Sequence, residues 1–247
     1  FKDMKPQAQY GGEKEDKKGT DYKGMPIVTG NEGDANANVY YGQYAGASLT
    51  DSAYYNSFFG YAAGNRTNSG DYNTFVGYRA GYNNTTGMYN TFLGDYAGYS
   101  NTTGGYNTFL GDYAGYNNTT GVYNTFLGYK AGYKNTTGSQ NTFLGDHAGY
   151  NNTTGHQNVF LGLYAGYYET GSNKLYIDTS TTLSPLIYGD FASNLVKING
   201  NFRVTGYLSL DNGTTQINST ELNLLDGRTS VATGTSNNNI FVTKGYV

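Results

Sequence analysis

Between Tyr72 and His156 the polar and apolar positions repeat every 17 residues, and one copy, Tyr106 to Val122, reads YNTFLGDYAGYNNTTGV. Counting Tyr106 as position one, a pair of large apolar residues stands at four and five. Small residues stand at six, nine and ten, and a polar Asn-Thr-Thr-Gly run closes the copy. Looser copies begin at Tyr55 and Gln157, and another, one residue longer, begins at Ala37. A fixed short period is the signature of a solenoid, in which each unit buries its neighbour and none is stable alone. Helical repeats need about twice this length, and Gly, Asn, Thr, Tyr and Phe favour strands and turns over helices. The pattern predicts an all-β fold, a parallel β-solenoid or β-roll, with one coil per copy and coils about 4.8 Å apart. Within a coil it predicts two short strands and two turns. Asn-Thr-Phe-Leu is the first strand, ending at glycine, and Ala-Gly-Tyr is the second strand or its approach. Asn-Thr-Thr-Gly is a turn whose glycine supplies a positive φ.

Positions that recur mark what the coils share. Position two is always asparagine: Asn38, Asn56, Asn73, Asn90, Asn107, Asn124, Asn141 and Asn158. Stacked amides at coil spacing can hydrogen-bond along the axis, so these residues are expected to form a structural ladder. Positions seven and eight vary (Tyr78-Arg79, Asp95-Tyr96, Lys130, His147) and are assigned to the solvent face. Position four gives the column Phe75, Phe92, Phe109, Phe126, Phe143 and Phe160, and position five gives Leu93, Leu110, Leu127, Leu144 and Leu161. Neighbours on a strand point to opposite faces, so this strand is apolar on both, which implies burial on both. One thin coil has a single lumen. The second face is expected to meet another copy of the chain, with the column Tyr82, Tyr99, Tyr116, Tyr133 and Tyr150 joining that seam; the alternative is a wider monomer covering both faces itself.

The flanks differ in kind. Residues 1–36 form an arm or attachment segment whose first two dozen residues mix lysines and acidic residues without period, and Met25 to Val28 is a candidate strand leading into the solenoid of residues 37–173. Residues 174–211 form a β-rich connector: Lys174 to Asp178 and Pro185 to Tyr188 are strand-like, and Leu195 to Ile198 pairs with Asn201 to Thr205 across Asn199-Gly200, a type I′ signal. Residues 212–247 form a neck-like connector in which Asn218, Glu221 and Gly227 delimit a short helix with Leu222 and Leu225 on one face. So short a helix does not bury itself, and three copies about an axis would house it.

The NTFLGxxAGYxNTTG repeat resembles the head repeats of trimeric autotransporter adhesins, and more closely those of bacterial and phage tail-fibre-domain proteins. NKLYIDTSTTLSPLIYGDF (Asn173 to Phe191) resembles the segment that follows such repeats. STELNLLDG (Ser219 to Gly227) resembles a phage tail-fibre connector, and VTKGYV (Val242 to Val247) a further fibre motif that usually runs on into aspartate. The resemblance covers roughly residues 37 to 247. It implies a homotrimer of parallel β-rolls serving as a structural fibre or adhesin, extracellular, on a virion tail or a cell surface. It also implies a host-cell surface glycan or protein as partner. Many members end in an autocleaving chaperone, so the resemblance implies a chain processed or cut near Val247. A cellular surface adhesin or secreted filament built from the same module is the alternative.

Composition narrows the chemistry. Only 13 % of residues are charged and the net charge is −3, giving no electrostatic basis for a nucleic-acid partner or an anionic membrane. No apolar run approaches the roughly 20 residues of a membrane helix, and the absence of cysteine removes disulfides and thiolate chemistry. His147 and His156 occupy slots filled by Tyr or Lys, and by Met, Gly, Val or Ser, in other copies, so no enzymatic role, cofactor or metal is expected. Asp95, Asp112 and Asp146 share a column that Tyr129 interrupts, too few oxygens for repeat-bound calcium. N-x-T sequons begin at Asn83, Asn84, Asn101, Asn118, Asn135 and Asn152, and are read as turns, or as glycosylation sites in a suitable host. Tyr96, Tyr113 and Tyr164 are candidates for stacking on sugars, and the Thr-Thr pairs are a weak basis for an ice-binding face because neighbours point apart.

Overall fold

The computed structural model describes residues 36–202, together with the backbone of four short strands at 19–20, 26–27, 229–233 and 240–244. The chain divides into two units, Phe1–Asn201 and Phe202–Val247. In the first, β1 (Gly19–Thr20) and β2 (Pro26–Ile27) form an antiparallel pair. Eight three-residue strands follow, one per copy: β3 (Val39–Tyr41), β4 (Ser57–Phe59), β5 (Thr74–Val76), β6 (Thr91–Leu93), β7 (Thr108–Leu110), β8 (Thr125–Leu127), β9 (Thr142–Leu144) and β10 (Val159–Leu161). They pair parallel and in strict register, Phe92 opposite Phe109 and Phe109 opposite Phe126. β11 (Lys174–Ile177) adds one more parallel rung; β12 (Ile187–Asp190) and β13 (Leu195–Ile198) then pair antiparallel, closing a sheet of eleven strands. In the second unit β14 (Thr229–Thr233) and β15 (Ile240–Lys244) pair antiparallel. No helix occurs among the described residues, and the helix expected between Asn218 and Gly227 lies outside them.

The parallel β-solenoid is built more sparely than the repeat pattern predicts. Each coil has one strand, not two, because Ala-Gly-Tyr is turn throughout. The positive φ falls on the glycines at positions six and ten, 131° at Gly111 and 59° at Gly115, and not on the glycine of Asn-Thr-Thr-Gly. Two further residues per coil are left-handed although they are not glycine, at positions one and eight, for example Tyr106 at 57° and Tyr113 at 58°. The chain therefore turns four times in 17 residues, too often for a second strand. The coils are joined elsewhere by backbone bonds offset by one position, such as Gly98 N–H to the Ala114 carbonyl at 2.9 Å and Tyr113 N–H to the Asp95 carbonyl at 2.8 Å.

The core is one residue wide. Seven phenylalanines from Phe58 to Phe160 are fully buried and stack nearly parallel, with centroids 4.7–4.9 Å apart. Burial of each ring is worth about 1.5–3 kcal/mol, and each ring contact about 0.5–1.5 kcal/mol more. The position-nine alanines complete the core. Glycine at position ten leaves room for the ring, since a Cβ at Gly115 would overlap Phe109. At the end of the column Tyr176 meets Phe160 edge-on at 5.2 Å, and its hydroxyl donates to Glu169 at 2.8 Å.

The connector departs from its expected pairing. β13 turns back onto β12 through residues 191–194, with Asn194 left-handed at φ 54°, instead of pairing forward across Asn199-Gly200. Asn199 extends this pairing, its N–H bonded to Leu186 at 3.0 Å. Asn201 and Phe202 are not strand, and 203–205 lie outside the described residues.

Candidate functional site

The position-two asparagines are buried, and both ends of each amide are used. Oδ1 accepts the backbone N–H of the next asparagine, Asn107 to Asn90 at 3.0 Å and Asn124 to Asn107 at 2.9 Å. Nδ2 donates to the position-16 carbonyl of its own coil, Asn107 to Gly121 at 2.8 Å. Direct amide-to-amide rungs occur only in the first coils, from Asn56 to Asn38 through Asn90 to Asn73. Lys174 N–H ends the column on Asn158 Oδ1.

A second asparagine column stands at position 13. Asn84, Asn101, Asn118, Asn135 and Asn152 are fully buried. Here side chains bond directly, Asn101 Nδ2 to Asn84 Oδ1, Asn118 to Asn101 and Asn135 to Asn118, each at 2.8 Å. The same Nδ2 reaches the position-16 glycine carbonyl, so Gly121 accepts from both Asn107 and Asn118. These five asparagines begin sequons. Their amide nitrogens are sealed in the folded coil, which closes them to glycosylation. The sequence marked them as turn residues or sequons and not as a buried ladder; their recurrence in five consecutive copies was the available signal. The column stops where Glu169 replaces asparagine: Asn152 Nδ2 turns to the Glu169 and Gly171 carbonyls, and Asn135 Oδ1 stays buried without a hydrogen-bond partner.

Outside the ladders lie three surfaces. The first is the outward face of the sheet. Each strand alternates outward, inward, outward, so position three (Thr108, Thr125, Thr142) and position five flank the buried phenylalanine. The leucine column is thus open in the single chain: Leu110, Leu127 and Leu144 are 40 %, 38 % and 44 % exposed, with Leu93 and Leu161 half-buried. The second surface is a tyrosine column at position one, Tyr55 to Tyr123, with rings 4.8–4.9 Å apart. The third gathers positions seven, eight and eleven. Tyr82, Tyr99, Tyr116, Tyr133, Tyr150 and Tyr167 stack at 5.0–5.3 Å, and Tyr96, Tyr113 and His147 lean against them. Position eight is therefore half-buried along this field and not simply solvated: the Lys130 ammonium lies 4.9 Å from the Tyr129 centroid and 5.8 Å from that of Tyr133. Burial and neighbouring phenols push the Tyr116 and Tyr167 hydroxyls up, keeping them neutral.

Among the described residues carboxylates and histidines do not gather into one site. Asp112 Oδ1 accepts the Asp95 N–H at 2.9 Å and Asp95 Oδ1 the Tyr78 N–H at 2.8 Å, so the aspartate column caps backbone donors between coils. His147 contacts its neighbour Asp146 and packs against Tyr150 and Tyr164; His156 is exposed. Among the described residues no cluster of three or more His, Cys, Asp or Glu side chains is placed to hold a metal. The position-14 threonines donate to carbonyls of the next coil, Thr102 to Thr119 at 3.0 Å, leaving only position 15 fully outward. No family model matches the sequence, and neither a curated protein nor a solved structure is similar enough to it to count as a match. No helix among the described residues is long and apolar enough to cross a membrane.

Proposed function

We propose that this chain is a segment of a rigid extracellular fibre, tail-fibre-like or adhesin-like, assembling with two further copies and spacing or displaying a surface that meets a host-cell glycan or protein. The observation that supports this is the leucine column, a continuous apolar strip along the outward face of a parallel sheet. Parallel sheets are ordinarily covered on both faces, and long apolar strips on soluble proteins mark contact surfaces. Another copy offers the same strip at the same coil spacing, so leucine rungs register along the whole stack without any new recognition element. The regular coils suit a spacer and hold no convergent set of acid, base and nucleophile. Gold-labelled antibody against the chain, imaged on its native source, is expected to mark virion tails. Label confined to cell envelopes would replace this with a cellular adhesin, and label inside cells would overturn the extracellular fibre.

A further inference from the structure

One coil breaks the pattern of the tyrosine field. In the copy beginning at Tyr55, positions eight and eleven are Ala62 and Asn65, where later copies carry large side chains. Two missing side chains leave an open cleft of about 260 Å³, lined by Tyr44, Tyr61, Ala62, Asn65, Arg79 and Tyr82. The ring column stops at this gap: Tyr82 stacks on Tyr99, and the preceding coil offers Asn65 instead of a tyrosine. Tyr44 and Tyr61 stand edge-to-face at 5.7 Å on the other side.

Arg66 and Arg79, the two arginines of the solenoid, converge on Tyr82, and Arg79 lines the cleft itself. Their guanidinium carbons lie 5.4 and 5.5 Å from the Tyr82 centroid, and Arg79 lies 5.2 Å from that of Tyr78. Arg79 Nε is buried and has no hydrogen-bond partner. Among the described residues the ion pairs are His147–Asp146 and Lys174–Asp190, so neither guanidinium has a carboxylate partner there. A guanidinium held over a ring keeps its in-plane donors free, in a fork that matches a carboxylate. Elsewhere Tyr96 and Tyr113 stack on each other at 5.1 Å and meet Tyr78 and Tyr129 edge-to-face, which argues against sugars stacking on them within the column. Here aromatic walls, a cation without a carboxylate partner and an open cavity coincide, and the cavity's size suits one ring and not an extended chain.

We propose that this cleft binds an acidic sugar, a pyranose bearing a carboxylate, with Arg79 taking the carboxylate and the tyrosine walls packing on the C–H faces. The proposal rests on the coils displaying a surface to a glycan. Calorimetric titration of the full chain with D-glucuronate, D-glucose and acetate tests it, beside Arg79→Gln and Ala62→Tyr. Ala62 has φ 52°, the same region as Tyr96 and Tyr113 at this position, so tyrosine fits the backbone and fills the gap. Glucuronate is expected to bind, with glucose and acetate each at least about tenfold weaker and both variants at least about tenfold weaker while retaining the wild-type circular dichroism. Equal binding of glucose, equal binding of acetate, no binding of glucuronate, or full binding by folded Ala62→Tyr would each overturn it. A trimer that ignores glucuronate would overturn the cleft alone, and a monomer that binds it would overturn the assembly alone.

Discussion

At position 13 Asn118 is buried, bonds to the coil before it, and shares a glycine carbonyl with the position-two ladder. Asn118→Ala strands the Asn135 amide and loosens the Gly121 carbonyl, and Asn107→Ala leaves the Asn124 N–H without its acceptor. Each buried group left short costs about 1–3 kcal/mol, so both variants should melt well below wild type. Asp112→Ala removes one cap from an exposed donor and should stay within about 0.5 kcal/mol. Equal melting shifts for all three in thermal denaturation would mean the ladders are misplaced. Gly115→Ala is expected to cost more than either asparagine change, because the residue is left-handed and its Cβ would meet the Phe109 ring; a wild-type melting temperature would refute that packing. The position-two column was legible from invariance within the chain. The role of position 13 was not, since Asn-Thr-Thr-Gly is turn chemistry by composition, and which asparagine the coil closes over depends on curvature. The left-handed tyrosines at positions one and eight were equally hidden, because bulky residues rarely adopt that conformation.

The element that defines the coil is one three-residue strand, and its alternation was readable from Thr-Phe-Leu. The absent second strand was not, because Ala-Gly-Tyr carries apolar character that the structure spends on core and surface columns. At the end of the stack, register depends on β11–β13. Lys174 Nζ bonds Asp190 at 2.9 Å, and this bond, against some burial, holds the Asp190 carboxyl below its ordinary range. A carboxyl depressed in the folded state stabilises it above the unfolded value, near 3.9, and that contribution is lost as pH falls through the lower folded value. Amide protection across β11 and β12, taken relative to the intrinsic exchange rate at each pH, is therefore expected to fall on acidification below about pH 4, and Lys174→Met should flatten that dependence. An identical pH profile in the variant would show that the pair does not tie the connector.

For the whole molecule, the repeat period by itself specifies the solenoid, whereas nothing in the sequence distinguishes an outward leucine column covered by another copy from one covered within a wider monomer. The single chain leaves it open. Because each coil touches only its neighbours, removing Tyr106 to Val122 should keep a cooperative fold and shorten the stack by one coil, about 4.8 Å; loss of folding would show that the coils are not interchangeable. Assembly through the leucine face is most directly tested by sedimentation equilibrium on the full chain beside Leu127→Lys. A mass of three chains for wild type, falling to the 26.8 kDa of one chain in the variant with its circular dichroism unchanged, is the expected result. Wild-type protein that stays at one chain mass across the concentration range would contradict it.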